Sequence, residues 1–307
     1  MTNLECVRLR TIILISCLAL FFSYSVLPDP AIVRLSVRVE GDTPFVSVQI
    51  EGRKYSMLFD TGSHLNGLRK ECMNRVVSKS YAHETSTIDL KGVGRKERIF
   101  GFAAMGLGSL QIMNCGISEI SDLSDLAGVS LCEETFIAPA WLQQCNGILG
   151  YTIVPNGAYF LDFGGREIIL AKDAKQLLKF FTDDYVAIPF LANDERAIIP
   201  VDTNLGVMRF GFDTGASISV VRSRLIADEH ITLRYLGRPS MMTLSKFVIG
   251  TIDCGPFDLW MYDIAEEIDR IDGLIGFDFF LKHKVCLDFA GKVAYIEKGT
   301  ACNSSVD

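Results

Sequence analysis

The stretch Met57-Leu-Phe-Asp-Thr-Gly-Ser63 recurs later in the same chain as Phe210-Gly-Phe-Asp-Thr-Gly-Ala216. Each copy is an apolar segment that runs into an aspartate, a threonine and a glycine. Burying a carboxylate is costly unless it is paired or hydrogen-bonded, so an aspartate at the end of an apolar strand is a candidate for chemistry. The glycine permits the tight turn that brings backbone amides close to that carboxylate.

The residues around the two copies also recur, in the same order. Upstream of each copy, a strand, a glycine-containing turn and a second strand lead into the aspartate. Downstream, three further landmarks repeat: LGSLQIMNCG (107–116) with IGTIDCG (249–255), GILG (147–150) with GLIG (273–276), and glycine hairpins at 160–170 and 286–296. An ordered repeat of this kind predicts a duplicated unit. We expect two β-rich lobes at 30–172 and 186–300, a short helical linker at 173–185 and a tail at 301–307.

The two aspartates form a chemical pair if the lobes are related by a pseudo-two-fold axis, because that axis can bring Asp60 and Asp213 face to face. Two carboxylates a few ångströms apart cannot easily both ionise, so they share one proton. One then acts as a general base on a water molecule, and the other acts as a general acid toward a substrate carbonyl. The pair therefore predicts hydrolysis by a water nucleophile.

With two Asp-Thr-Gly motifs, each followed by an apolar element that ends at Gly150 or Gly276, the sequence resembles the aspartic peptidases. The resemblance implies a mainly β fold of two homologous barrel lobes related by pseudo-two-fold symmetry, with the active site in the cleft between them. The two-lobed organisation is similar to pepsin, and the compact lobes are similar to retropepsins. The resemblance also implies an endopeptidase acting on polypeptides, with Asp60 and Asp213 as the catalytic dyad and no cofactor. Because one chain carries both aspartates, a monomer is sufficient for catalysis.

The same resemblance assigns supporting roles beside the dyad. Thr61 and Thr214 are expected to cross-link the two active-site loops, each hydroxyl bonding the opposite loop. Gly62 and Gly215 are expected to hold the turns.

The residues after the two motifs differ between the lobes. In the family a hydroxyl at this position bonds a dyad carboxylate; Ser63 can supply it, whereas Ala216 cannot. The missing bond predicts a raised pKa for the dyad and a milder pH optimum. His64 is also unusual next to the motif, and it either faces solvent or lines the cleft.

A glycine-rich segment in the first lobe, Leu90-Lys-Gly-Val-Gly-Arg95, stands where the family has a hairpin flap over the cleft. We expect Gly92, Val93 and Gly94 to form its tip. The alternative is an ordinary surface turn, which glycine pairs mark equally well. The second lobe offers a weaker counterpart at Tyr235-Leu-Gly-Arg-Pro-Ser240, which favours one dominant flap.

The N-terminal segment, residues 1–27, carries two arginines followed by an uncharged apolar run from Thr11 to Leu27. This pattern predicts a secretory signal peptide cleaved after Ser25, or an uncleaved signal anchor that attaches the protein to a membrane. A lipoprotein signal ending at Cys17 is a third reading. Each predicts an exported protein that is periplasmic, secreted or membrane-anchored and faces outside the cytoplasm.

Composition and residue spacing bear on three further possibilities: a nucleic-acid partner, a bound metal and disulfide bonds. The 307 residues carry 30 basic and 37 acidic side chains, so nothing favours a nucleic-acid partner. The four histidines lack a paired metal-ligand spacing, which predicts no metal. In an oxidising compartment, Cys132 with Cys145 and Cys286 with Cys302 are close enough in sequence to form disulfides.

The alternative to a peptidase is a catalytically silent two-lobed protein that binds peptides or a partner, and the two intact motifs argue against it.

Overall fold

The computed structural model describes residues 32–88, 92, 94–121, 144–191, 196–227, 230–235, 238–266, 268 and 270–298. The predicted leader, 1–27, and the predicted tail, 301–307, lie outside these ranges. Within them, none of the helices has the length and apolar character needed to cross a membrane.

The described chain is built mainly of strands, numbered in chain order. The first half contains β1 Val33–Ser36, β2 Arg38–Val39, β3 Pro44–Ile50, β4 Arg53–Asp60, β5 Gly67–Arg69, β6 Ser80–Ile88, β7 Gly94–Leu107, β8 Leu110–Ile120, β9 Gly147–Gly150, β10 Ala158–Asp162 and β11 Glu167–Ala171. The second half contains β12 Tyr185–Pro189, β13 Ile198–Thr203, β14 Gly206–Phe212, β15 Val220–Arg222, β16 Ile231–Tyr235, β17 Arg238–Leu244, β18 Phe247–Ile249, β19 Ile252–Asp253, β20 Phe257–Tyr262, β21 Gly273–Ile275, β22 Val285–Asp288 and β23 Val293–Glu297. Short helices are Lys70–Met73 and Phe277–Phe280, with single 3-10 turns at Tyr151–Ile153, Ala174–Gln176, Leu178–Phe180 and Ser223–Leu225.

The first lobe is a closed barrel. Its sheet runs β2-β3-β4-β9-β5-β8-β7-β6, and an additional pairing of β3 with β7 closes the ring. Strand β3 shows why the sequence folds this way, since Val46, Val48 and Ile50 are buried and alternate with exposed polar residues. The chain then turns tightly at Glu51 and Gly52, both at positive φ, into the strand that ends at the first aspartate.

The second lobe repeats this arrangement with one interruption. Its sheet runs β16-β17-β20-β15-β21-β14-β13-β18-β19. The pairing of Asp202 with Val248 is equivalent to that of Gln49 with Gly106 in the first lobe. The long strand β7, however, is represented by two strands, β17 and β18, separated at residues 245–246. The prediction of a mainly β, two-lobed fold is confirmed.

A third sheet, β1-β11-β10-β22-β23-β12, takes three strands from each half of the chain and joins the lobes. Its two central strands, β10 and β22, are antiparallel and pair Phe160 with Cys286. These two residues occupy the same position in the repeated hairpin. A pseudo-two-fold axis therefore passes between them, as the repeat predicts.

The hairpins that feed this sheet turn in the same way. The carboxylate of Asp162 accepts the amide of Gly165 at 2.7 Å, and that of Asp288 accepts the amide of Gly291 at 2.8 Å. These two aspartates are turn residues and take no part in the dyad.

Three other features differ from the sequence interpretation or extend it. The stretch from Ile117 to Leu142 has few alternating residues, which predicts loops and short helices, but it begins as part of β8, which continues to Ile120. The predicted linker contains two 3-10 turns. Cys145 and Cys286 carry buried free thiols, and their proposed disulfide partners, Cys132 and Cys302, lie outside the described ranges.

Candidate active site

The two aspartates lie at the ends of two equivalent strands, one in each lobe. Strand β4 ends at Asp60 and pairs in parallel with β9, which places Asp60 beside Gly150. Strand β14 runs in parallel with β21, and the amide of Asp213, the next residue, donates to Ile275 O at 3.0 Å. Both aspartates therefore leave the sheet beside the apolar strand that ends at Gly150 in the first lobe and leads into Gly276 in the second.

Each aspartate accepts two backbone amides at its Oδ1 atom. On Asp60 the donors are Gly62 N at 2.8 Å and Ser63 N at 3.1 Å. On Asp213 the donors are the amides two and three residues further on, at 2.9 and 3.1 Å. The two loops therefore hold their carboxylates in the same geometry and leave the outer oxygens available for other contacts.

The glycine of each loop contacts the carboxylate of the other lobe. A Cβ atom placed on Gly62 would lie 2.5 Å from Asp213 Oδ2, and one placed on Gly215 would lie 2.7 Å from Asp60 Oδ2. No real side chain tolerates such distances, so glycine is required at both positions by the approach of the opposite aspartate. The two carboxylates are also close enough to hydrogen-bond to each other.

Beneath the carboxylates, the threonines cross-link the loops. The Thr61 hydroxyl donates to Phe212 O at 3.1 Å, and the Thr214 hydroxyl donates to Phe59 O at 2.8 Å. Both threonines are fully buried. Each carbonyl belongs to the strand that carries the opposite aspartate, so the spacing of the two aspartates is fixed from below.

The surroundings raise the pKa of both aspartates. For Asp60, loss of hydration is the largest cause, and the negative charge of Asp213 adds to it. For Asp213, loss of hydration also dominates, opposed by the hydrogen bonds it accepts and by the positive charge of Arg196. Such a pair titrates as one unit and holds a proton between its members over a range in which isolated aspartates are ionised.

The expected difference between the loops, a bond from the Ser63 hydroxyl to a dyad carboxylate that Ala216 cannot make, is not found. The Ser63 hydroxyl donates to Leu65 O at 3.0 Å and accepts the Leu65 amide at 3.2 Å, and it does not bond Asp60. The hydroxyl satisfies its own loop, a local competition common for serine. Burial raises the pKa of both aspartates, and the charge of Asp213 raises that of Asp60 further, so the missing hydroxyl at Ala216 makes no difference between the loops. The pKa of the dyad is raised as predicted, but Ala216 is not the cause, and the milder pH optimum stays a prediction.

Two buried polar residues, Asn66 and Ser219, also support the loops, and the sequence analysis missed them. Each stands six positions after its aspartate. Asn66 Oδ1 accepts the amide of Gly150 at 3.0 Å, and Ser219 Oγ accepts the amide of Gly276 at 2.9 Å. Ser219 then donates to Asp278 Oδ1 at 2.7 Å, which gives this third carboxylate a structural role. The signal available in the sequence was the constant spacing of six positions after each aspartate. The residue types at these two positions differ, so the repeat did not reveal the pair.

Two arginines were also missed, one standing nine positions after each aspartate. Arg222 is buried, and its guanidinium donates to four carbonyls, those of Ile264, Ala265, Ile268 and Ile271. Its counterpart Arg69 donates to Cys145 O at 3.4 Å, the position equivalent to Ile271. Both arginines anchor the segment that enters the apolar strand beneath the loop.

The predicted flap falls on a long hairpin. Strands β6 and β7 pair from Ser80 opposite Gly101 to Ile88 opposite Gly94, so Gly92 and Gly94 lie at or beside the connection. Val93 lies outside the described residues. The second lobe has an equivalent but shorter hairpin, β16 with β17. Both lobes therefore carry a hairpin in this position, the longer one in the first lobe, and a single dominant flap stays a prediction.

Two further predicted features can be placed. The His64 side chain is exposed, and its carbonyl accepts the Thr152 hydroxyl. Among the residues that the structure describes, no group of three or more histidine, cysteine, aspartate or glutamate side chains is arranged to hold a metal ion.

Comparison with known proteins gives a structural match and no sequence match. No protein-family model matches the sequence, and no curated protein matches it. Among solved structures, the chain is similar to the crystal structure of an aspartic proteinase from Irpex lacteus, with a TM-score of 0.57 and 13% sequence identity. The match covers 90% of this chain and 100% of the other. At this identity the likeness defines the fold, and the chain has the two-lobed fold of that proteinase.

Proposed function

We propose that this protein is an aspartic endopeptidase in which Asp60 and Asp213 form the catalytic dyad. The observation that carries the proposal is the equivalence of the two carboxylates. Each accepts two amides of its own loop, and each is in contact with the loop glycine of the other lobe. Two carboxylates held this close with raised pKa values are the arrangement that general acid–base hydrolysis of an amide requires.

The chemistry follows from one proton shared by the dyad. The ionised aspartate accepts a proton from a water molecule whose oxygen attacks the peptide carbonyl carbon. The protonated aspartate gives its proton to the carbonyl oxygen, which yields a neutral tetrahedral diol. In the second step the carbon–nitrogen bond breaks, the leaving nitrogen takes a proton from the dyad, and a diol hydroxyl returns one. The dyad ends in its starting state.

A catalytically silent peptide-binding protein of the same fold remains the second candidate. It shares the cleft between the lobes, and it does not need the dyad to titrate. What favours the peptidase is the cross-lobe contact of Gly62 with Asp213 and of Gly215 with Asp60, since binding alone does not require two carboxylates in contact.

The test is cleavage of an unfolded, alkylated protein from about pH 3 to pH 7. We expect peptide products in an acidic range, and inhibition by a statine-containing peptide whose hydroxyl occupies the position of the attacking water. A folded protein that binds the statine peptide but cuts nothing at any pH would select the silent alternative.

We also propose that the protein is exported, on the basis of the charged and apolar pattern in residues 1–27. N-terminal sequencing of the protein recovered from cells tests this directly. A new N-terminus close to residue 26 in the extracytoplasmic or culture fraction supports export with cleavage. Recovery of the intact N-terminus only in the cytoplasmic fraction would contradict it.

A further inference from the structure

One face of the first lobe's sheet continues from the dyad toward the long hairpin formed by β6 and β7. In β4, Leu58 stands two residues before Asp60, so the two side chains project from the same face of the sheet. Leu58 belongs to a small apolar cluster against which Ile120 of β8 packs, whereas Phe59 belongs to the main core. The face that carries Asp60 therefore includes Ile120.

The same face continues across β8 and β7. A Cβ atom placed on Gly67 would collide with Ile120 Cδ1 and lie 3.1 Å from Ser118 Oγ, so both side chains project to one side. Ser118 pairs with Ile99 of β7, and both are buried. Directly paired residues share a face, as do residues two apart on one strand. Glu97, two residues before Ile99, therefore lies on this face.

The two faces of the hairpin differ in exposure. The half-buried face carries a histidine, two threonines and a glutamate: His83, Thr85, Thr87 and Glu97. The opposite face is exposed and carries Glu84, Ser86, Lys96 and Arg98. The pairing of Thr85 with Glu97 agrees with this division. The hairpin therefore has a polar face on the side of the sheet from which Asp60 projects.

The carboxylate on this face is incompletely hydrogen-bonded. Glu97 Oε1 accepts the Thr87 hydroxyl at 3.2 Å. Glu97 Oε2 is buried and has no hydrogen-bond partner among the residues that the structure describes. The guanidinium of Arg98, the next residue, binds Glu119, which projects from the other side of the sheet. A buried carboxylate oxygen without a donor is costly, and a cationic group brought to it forms a charge-assisted hydrogen bond.

A peptide whose cleaved bond contacts the dyad extends along the face that carries Asp60. We propose that Glu97 is a specificity-determining residue, which selects substrates with an arginine or lysine side chain at one position near the cleaved bond. The cationic group supplies the donor that Oε2 lacks, while the Thr87 hydroxyl holds Oε1. The inference rests on the proposed peptidase function and adds a substrate class to it.

Peptide pairs that differ only by arginine or citrulline at one position test this inference, because citrulline keeps the shape of the side chain and removes its charge. We expect kcat/KM to favour the arginine peptide by about tenfold at one position and by less than about twofold at the others. Glu97→Gln should bring the ratio at that position close to one. Glu84→Gln, which removes an equal charge from the exposed face of the same hairpin, should leave the ratio unchanged. The pairs are compared at the highest pH at which the wild type cleaves, since acid neutralises carboxylates.

A charge reversal distinguishes direct binding from a structural role of Glu97. Glu97→Lys should favour a glutamate peptide over a glutamine peptide at the same position, which a loss of folding does not produce. Because each ratio compares two peptides on the same protein sample, partial misfolding of a variant does not alter it. Three results would overturn the inference: a wild-type ratio close to one at every position, an unchanged ratio in Glu97→Gln, or a Glu97→Lys variant that still favours arginine.

A binding measurement separates this inference from the proposed function. Non-cleavable peptides, with the peptide bond reduced and with arginine or citrulline at each position in turn, are titrated by calorimetry. If the wild type cuts no peptide but binds one arginine form more tightly, and Glu97→Gln loses the difference, the peptidase proposal fails and the inference stands. Equal affinities for the two forms at every position would refute the inference whatever the activity.

Discussion

Thr61 and Thr214 bond each other reciprocally across the cleft: the amide of each donates to the hydroxyl of the other, both at 3.1 Å, although 153 residues separate them in the chain. Each hydroxyl then donates to a carbonyl of the opposite strand. Four buried hydrogen bonds therefore join the lobes directly beneath the two aspartates. Because fully satisfied buried polar networks rigidify their surroundings, this network fixes the separation of the carboxylates.

The first prediction concerns this network. Thr214→Val keeps the size of the side chain but leaves the Thr61 amide and the Phe59 carbonyl without their partner. An unsatisfied buried group costs about 1–3 kcal/mol, so we expect a loss of about 3 kcal/mol in the free energy of unfolding, measured by urea denaturation. Thr214→Ser keeps the hydroxyl and should lose less than about 1.5 kcal/mol. Equal losses for the two variants would show that the hydroxyl is not the stabilising group.

The second prediction concerns the glycine contacts. Gly215→Ala places a methyl group against the Asp60 carboxylate, and the carboxylate or the loop must move. A displacement of about 1 Å in a catalytic group can lower the rate by about 100-fold, and we expect a fall of this size in kcat. Gly164→Ala is the matched control, because the nearest atom to its new Cβ would be at 3.7 Å. Activity of Gly215→Ala within a factor of about three of the wild type would contradict the close approach of the lobes.

The third prediction follows from the raised pKa values of the dyad. The folded protein retains a proton there that the unfolded chain releases near pH 4, roughly where a free aspartate titrates. The stability contributed by this proton is present below that pH and is lost as the pH rises through the folded pKa. Asp213→Asn cannot ionise and also removes the charge that repels Asp60. We therefore expect it to raise Tm at pH 7 and to change it much less at pH 3; an equal shift at both pH values would show that ionisation is not the cause.

The fourth prediction separates a buried arginine from an exposed one. Arg222→Met removes the donor to the Ile264, Ile268 and Ile271 carbonyls, whereas Ala265 O still accepts the Ile268 amide, and we expect the variant to lower the free energy of unfolding by about 3 kcal/mol or more. Arg224→Met, two residues away, removes an exposed ion pair with Glu266 and should cost less than about 1 kcal/mol. Thermal or urea unfolding of both variants makes the comparison. If the two variants lose the same free energy of unfolding, the contacts of Arg222 with these carbonyls do not stabilise its loop.

The sequence was sufficient to predict the two lobes and the pairing of Asp60 with Asp213. Two copies of one motif in an ordered repeat indicate two equivalent lobes, and a two-fold relation between the lobes brings the motifs together. It was insufficient where a side chain had more than one local partner. Ser63 illustrates this, since its hydroxyl bonds Leu65 and does not reach Asp60.

The residues that support the two loops illustrate a second limit. The supporting pair Asn66 and Ser219 was missed because the repeat preserves a hydrogen-bonding function there and not a residue type.

The central claim is that Asp60 and Asp213 act as one catalytic unit, and a double-mutant comparison of kcat/KM tests it most directly. Groups that act together give non-additive losses. We predict that Asp60→Asn and Asp213→Asn each reduce peptide cleavage to background, and that the double variant is no less active than either single one. A single variant that keeps more than about a tenth of the wild-type kcat/KM, with further loss in the double variant, would contradict the account.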